Sequence, residues 1–206
     1  MTRNENINEA ITKTDLFQHI LTSNGKEDIH FLRILIESLR NSHKIYLSKK
    51  IPEIQQSISL LSQKFSDKHA FFNFLATLFK RYEQGLLEHI KEEEDVIFPY
   101  VVYLMNCKGI LDQAKTARIL KGSKSLQDFI QSHSDTEAPL DNFIEMLQKV
   151  QKEVNDCYPF NVLVRQITWL RDDLNRHAFY EDEILVKTAL RLESDLLSGN
   201  NYCIEV

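Results

Sequence analysis

Apolar residues recur every three to four positions along almost the whole chain, the spacing of a helix with one face turned to a core. Because the period rarely lapses, element ends are read from caps and breakers. Residues 7–22 read as a short helix with a modest apolar face, stopped by Asn24-Gly25. From about Glu27 a long helix carries Ile29, Leu32, Leu35, Ile36 and Leu39 and continues through His43 and Tyr46 toward Leu61, with a kink expected at Pro52. Asp67 is placed to cap a second long helix, which buries Phe71, Phe72, Leu75, Leu78, Phe79, Leu86 and Ile90, is bent or ended late by Pro99, and reaches about Met105. Residues 110–120 have a weaker helical pattern, and Gly122 and Ser123 read as a break. A third core helix is expected over residues 126–154, disturbed at Pro139. A fourth starts near Pro159, a residue suited to a first turn, and reaches about Leu192.

Composition narrows the class. With 206 residues, 43% of them apolar and 27% charged, the chain can bury one large core, and its 5 Gly and 4 Pro leave little turn material for many short strands. The expected fold is all-α, an up-down four-helix bundle over residues 27–197 with an N-terminal helical extension (1–26) and a C-terminal tail (198–206). No apolar run approaches the roughly 18 to 20 residues of a membrane span, and the opening residues are too polar for a secretory signal, so a cytoplasmic protein without membrane contact is expected. A net charge of −5 with scattered Lys and Arg offers no field for nucleic acid. Cys107, Cys157 and Cys203 are odd in number and form no CxxC, which points to free thiols rather than a disulfide frame or a structural zinc.

The histidines carry the chemistry. Four of the seven, His43, His89, His133 and His177, fall one to each long helix at separations of 46, 44 and 44 residues. In an up-down bundle each helix and its loop consume about one such interval, so the four imidazoles lie at similar depth. Two of these helices add a glutamate four residues on, His89 to Glu93 and His177 to Glu181. An i, i+4 pair shares one helix face and can reach one metal. The match extends around both pairs: Glu93-Glu94-Asp95-Val96-Ile97 answers Glu181-Asp182-Glu183-Ile184-Leu185, and Ser42-His43 answers Ser132-His133. Four imidazoles with two carboxylates and no thiolate suit iron or manganese, whereas structural zinc favours cysteine and calcium wants oxygen alone. Six ligands are too many for one iron with an open position. Two irons bridged by Glu93 and Glu181, each with two histidines, use the set completely and leave room for an oxo or hydroxo bridge; spacing leaves open which histidines share an iron.

Each of these residues also has an ordinary reading. A lone helical histidine is more often exposed or satisfied in a core, which is the reading kept for His19, His30 and His69, and a His-Glu pair is common on helix surfaces. The run Glu92-Glu93-Glu94-Asp95 alone would be a solvated face. The joint pattern, one histidine per helix with pairs on alternate helices, overrides those readings. Glu137, four residues after His133 but beside Pro139 and outside the repeat, is set apart as a surface or supporting residue. Tyr46, Tyr82 and Tyr180 read mainly as packing residues near the ligands, and Trp169 as core.

Two elements resemble hemerythrin-like bundles, and within them the di-iron proteins called repair of iron centres. One is Ser42-His43-Lys44-Ile45-Tyr46 followed by Ile51-Pro52; the other, more specific, is His89-Ile90-Lys91-Glu92-Glu93-Glu94-Asp95-Val96-Ile97-Phe98-Pro99. The resemblance covers roughly residues 29–192 and does not extend to the small cysteine-bearing domain of that family, residues 1–26 holding no cysteine. It implies the ligands His43, His89, Glu93, His133, His177 and Glu181 around two non-haem irons. It further implies service to iron-sulfur centres damaged by nitrosative or oxidative stress, by donating iron or by reacting with nitric oxide or peroxide; the rival expectation is a module that binds or senses oxygen or nitric oxide. Iron-sulfur client proteins are the implied macromolecular partners.

Overall fold

The computed structural model describes residues 25–107, 111–132, 138–151, 154 and 157–198, and every regular element among them is helical. Helix α1 (residues 25–64) joins Gly25–Ile45 to Ile51–Lys64 through a π-helical turn, Tyr46–Lys50. Helix α2 (69–106) is built the same way, from His69–Glu92, the π turn Glu93–Ile97 and Phe98–Asn106. Helices α3 (Gln113–Ser132) and α4 (Ala138–Gln151) together form the third arm. Helix α5 (158–197) joins Tyr158–Tyr180, the π turn Glu181–Val186 and Lys187–Leu197.

The prolines explain two of the π turns. The N–H of Ile51 bonds to the carbonyl of Tyr46, and that of Phe98 to the carbonyl of Glu93, each five residues back, and the next residue is Pro52 in one case and Pro99 in the other. Proline has no N–H and its ring clashes with the carbonyl four residues back; widening the ladder by one residue absorbs both problems. Both helices therefore run through their prolines, where the sequence suggested that Pro99 bends or ends the second.

The chain passes up and down, and each arm has a lower and an upper half. Residues 51–64, 69–92, 138–151 and 158–180 pack around one core, in which Ile54, Ile58, Leu61, Phe72, Leu75, Phe79, Leu147, Phe160 and Leu163 are buried. The halves at 25–45, 98–106, 113–132 and 187–197 surround a second core of Leu32, Leu39, Val101, Leu104, Ile119, Leu126, Phe129 and Ala189. The three π turns lie where the cores meet, and the buried polar side chains His43, Glu93, His177 and Glu181 form a layer between them. Burying an ion costs several kcal/mol, while each buried Leu, Ile or Phe contributes about 1.5–3 kcal/mol, so two apolar cores can carry one polar layer.

Several sequence expectations are revised. The break at Gly122 and Ser123 is not there: α3 is continuous through it, and Gly122 is a packing residue, because a Cβ on it would lie 2.1 Å from the Tyr100 ring. The third arm thus begins at Gln113. Asp67 sits in a 3-10 turn, Ser66–Lys68, and no side chain caps α2. Trp169 is 40% exposed, with the Lys50 ammonium 3.8 Å above its ring, so a cation–π contact replaces the expected core position. Pro159 does occupy the first turn of α5. The expected helix at residues 7–22 and the tail beyond Ser198 lie outside the described residues. No helix among those described is long and apolar enough to cross a membrane.

Candidate metal centre

Five of the six predicted ligands converge. His43 comes from α1, His89 and Glu93 from α2, His177 and Glu181 from α5, and all five line one cavity together with Tyr46, Leu86, Ile90, Leu174 and Ala178. One ligating atom from each of His43, Glu93, His177 and Glu181 lies within 4.8 Å of all the others. The sixth, His133, and the neighbouring Glu137 lie outside the described residues.

The distances are those of a donor shell. His43 Nε2 is 2.9 Å from His177 Nε2 and 3.2 Å from Glu93 Oε2. His177 Nε2 is 2.9 Å from Glu181 Oε1, and His89 Nε2 is 3.1 Å from the other oxygen of Glu93, Oε1. Adjacent donors around an ion with bonds of about 2.1 Å are spaced by about 3 Å, so these atoms stand as the edges of a coordination polyhedron stand. Glu93 divides its two oxygens between different histidines, as a carboxylate that bridges two positions does.

Charge supports the same reading. Glu93 and Glu181 are fully buried, and an ionised carboxylate withdrawn from water needs compensating positive charge. Burial pushes the Glu93 carboxyl upward, yet hydrogen bonds from His43 and His89 and the nearby His89 charge outweigh it and hold the group below its ordinary range. Burial likewise works against the charged form of His43, but Glu93, Glu94 and Glu181 around it raise its pKa overall. In the protein without metal, a proton on His43 offsets part of the negative charge of the carboxylates around it. Donor type, donor spacing and charge all fit a cation in this place.

Sequence reasoning missed two acids beside the shell. Glu94, read as part of a solvated run, lies 3.0 Å from His43 Nδ1. Asp173 accepts a hydrogen bond of 2.7 Å from the hydroxyl of Tyr46, whose buried ring meets His177 edge-on at 5.7 Å. Burial first, and the Asp173 charge second, push the Tyr46 phenol upward, so it stays a donor. The available signal for Asp173 was its position one turn before His177 on α5. Of the set-aside histidines, His30 is exposed and His69 pairs with Ser62, while His19 lies outside the described residues.

Comparison with known proteins places the chain among cation-binding relatives. Iron-sulfur cluster repair protein ScdA of Staphylococcus haemolyticus is 18% identical over 151 residues, covering 73% of this chain and 64% of that protein. Its namesake in Staphylococcus epidermidis is 19% identical over 188 residues, covering 89% of this chain and 79% of its own length. The chain thus spans less than two thirds of the first of these relatives. No solved structure matches the chain significantly. The family model described as the hemerythrin HHE cation binding domain matches residues 35–189, from about two turns before His43 to beyond Glu181, and the chain belongs to that family.

Proposed function

We propose that this chain is a non-haem di-iron protein that serves iron-sulfur centres damaged by nitrosative or oxidative stress. The observation that carries the di-iron reading is the division of Glu93, one oxygen toward His43 and the other toward His89. On this reading His43, His177, Glu93 and Glu181 would hold one iron. His89 and, by the sequence repeat, His133 hold the second. Bound there, the two irons supply a redox-active pair able to take a small diatomic ligand or peroxide, or to leave as ferrous ion.

The residues around the pair determine how it behaves. Imidazoles carry no charge, so a shell with four of them and two carboxylates holds less negative charge than a carboxylate-rich shell and retains iron less firmly. That favours a site that gives iron up. The staphylococcal relatives, named iron-sulfur cluster repair proteins, support the same direction. Cytoplasmic clients would be the recipients. The test is recovery of an iron-sulfur enzyme inactivated by nitric oxide or peroxide: incubation with the iron-loaded protein restores activity and lowers the protein's iron content in step. Failure to restore any such enzyme would sink the repair reading.

One observation favours a second reading, reversible binding of oxygen or nitric oxide for sensing. The cavity beside the donors has apolar walls at Leu86, Ile90, Leu174 and Ala178, which suit an uncharged diatomic. Spectra under oxygen separate the two, since uptake reversed by removing the gas supports binding, and irreversible oxidation does not.

A further inference from the structure

Behind His43 lies a small box of four side chains from two helices. The Nδ1 of His43 lies 3.0 Å from Glu94 Oε1, and the other oxygen of Glu94 accepts a 2.9 Å hydrogen bond from Arg40 Nε. Phe98 stacks on the His43 ring, with centroids 5.7 Å apart and planes 4° from parallel, and the Arg40 guanidinium lies 5.7 Å from the centroid of the same Phe98 ring. Arg40 and His43 are three residues apart on α1, and Glu94 and Phe98 are four apart on α2, so each helix presents its pair on one face. The histidine is buried, while Glu94 and Arg40 are about one-third exposed.

The chemistry of this box is directional. A carboxylate ion-paired to a guanidinium accepts and cannot donate, so the proton between Glu94 and His43 sits on Nδ1 of the ring. With a metal bound, Nε2 would then be the nitrogen left to face it, on the side of Glu93 and His177; without metal, Nε2 is the atom through which His43 donates to the Glu93 carboxylate. Phe98 fixes the plane of the ring and Glu94 its rotation, and Arg40 holds Glu94 in place from the solvent side. The Glu94 carboxylate, accepting from the far nitrogen, also makes the near one a stronger lone-pair donor to a metal.

Resting on the metal-centre reading, we propose that Glu94, anchored by Arg40, is a positioning residue that fixes His43 as an Nε2 donor and thereby slows loss of metal from the centre. The pair stands between the buried shell and water, which makes it the control on how readily iron leaves. Neither residue touches the cavity, so neither is a ligand.

The test loads the full chain with ferrous ion under anaerobic conditions and follows release to an excess of a ferrous chelator, for wild type, Glu94→Ala, Glu94→Gln, Arg40→Ala and the exposed control Glu92→Gln. A second readout records the His43 ring nitrogens by 15N NMR in the zinc-loaded protein. Release from Glu94→Ala is expected to be about 10–100-fold faster than from wild type, with smaller accelerations in Glu94→Gln and Arg40→Ala and none in Glu92→Gln. The hydrogen-bonded Nδ1 proton seen in wild type should disappear in Glu94→Ala at unchanged helicity. Release within about twofold of wild type in Glu94→Ala, or in the isosteric Glu94→Gln if the alanine variant does not fold, together with an unaltered His43 spectrum, overturns the proposal. If wild type itself takes up no metal, the metal-centre reading fails first, an outcome distinct from a loaded protein indifferent to Glu94.

Discussion

Glu93 stands between two histidines at the centre, and its energetics run two ways. Without metal it is a buried carboxylate supported by imidazoles; in the proposed di-iron site it would serve both metals. Removing one member of a buried ionic cluster leaves its partners uncompensated and costs about 3–5 kcal/mol. Glu93→Leu should therefore destabilise the metal-free protein in chemical denaturation as well as removing most of its iron; a metal-free variant as stable as wild type would contradict this. The protonation balance is checked separately. His43 has a folded pKa above its ordinary 6.5, so its contribution is full below about 6.5 and is lost as pH rises through the folded value. Glu93 has a folded pKa below its ordinary 4.5, so its contribution is full above about 4.5 and is lost as pH falls. The melting temperature of chelator-treated protein should thus gain from this pair most between about pH 4.5 and 6.5 and lose that gain on either side. Bound iron would take the place of the His43 proton on Nε2, so loading should flatten the alkaline fall. A metal-free protein whose melting temperature climbs steadily from pH 6 to 9 would refute the assignment. At this scale the meeting of His43, Glu93, His177 and Glu181 was legible because a shared site imposes a spacing on residue types. Glu94 and Asp173 were not, since a helical acid facing inward across a π turn has the same neighbours in sequence as one facing water.

Elements show where local pattern misleads. Gly122 and Ser123 look like a break, yet α3 passes through them because the Tyr100 ring needs the space that a glycine leaves. The Tyr100 hydroxyl is itself tied down, 2.5 Å from Glu193 Oε1 and 3.1 Å from the Ile119 carbonyl, so the ring has little freedom to move aside. Gly122→Ala should destabilise the protein by about 1–3 kcal/mol through overpacking, despite the better helix propensity of alanine. Gly85 in α2 is the internal control, since nothing lies within 4 Å of an added Cβ there. Gly85→Ala should stabilise by about 0.5–1 kcal/mol, and the same sign for both variants in denaturant titrations would contradict the packing account. The prolines are the complementary case. Pro52 and Pro99 were readable as disturbances, but a π turn that lets the helix continue depends on contacts across the bundle, which no single-helix pattern contains.

Across the whole molecule, the repeat in the sequence is the up-down architecture seen in projection. Evenly spaced histidines mark one depth on successive helices, and the structure places His43, His89 and His177 at that depth, between two apolar cores. The all-helical class and the order of the arms followed from periodicity and sparse breakers. The start of the third arm did not, because Gln113–Ser132 is only weakly amphipathic and its position depends on packing against the upper halves of α2 and α5. Filling the centre links the halves through ligands from α1, α2 and α5, so metal should raise the melting temperature in proportion to its excess over the dissociation constant. The most direct measurement is iron per chain by elemental analysis after anaerobic loading and removal of loosely held metal. The account predicts about two irons per wild-type chain and at most about one in His89→Ala; one or none in wild type would contradict it.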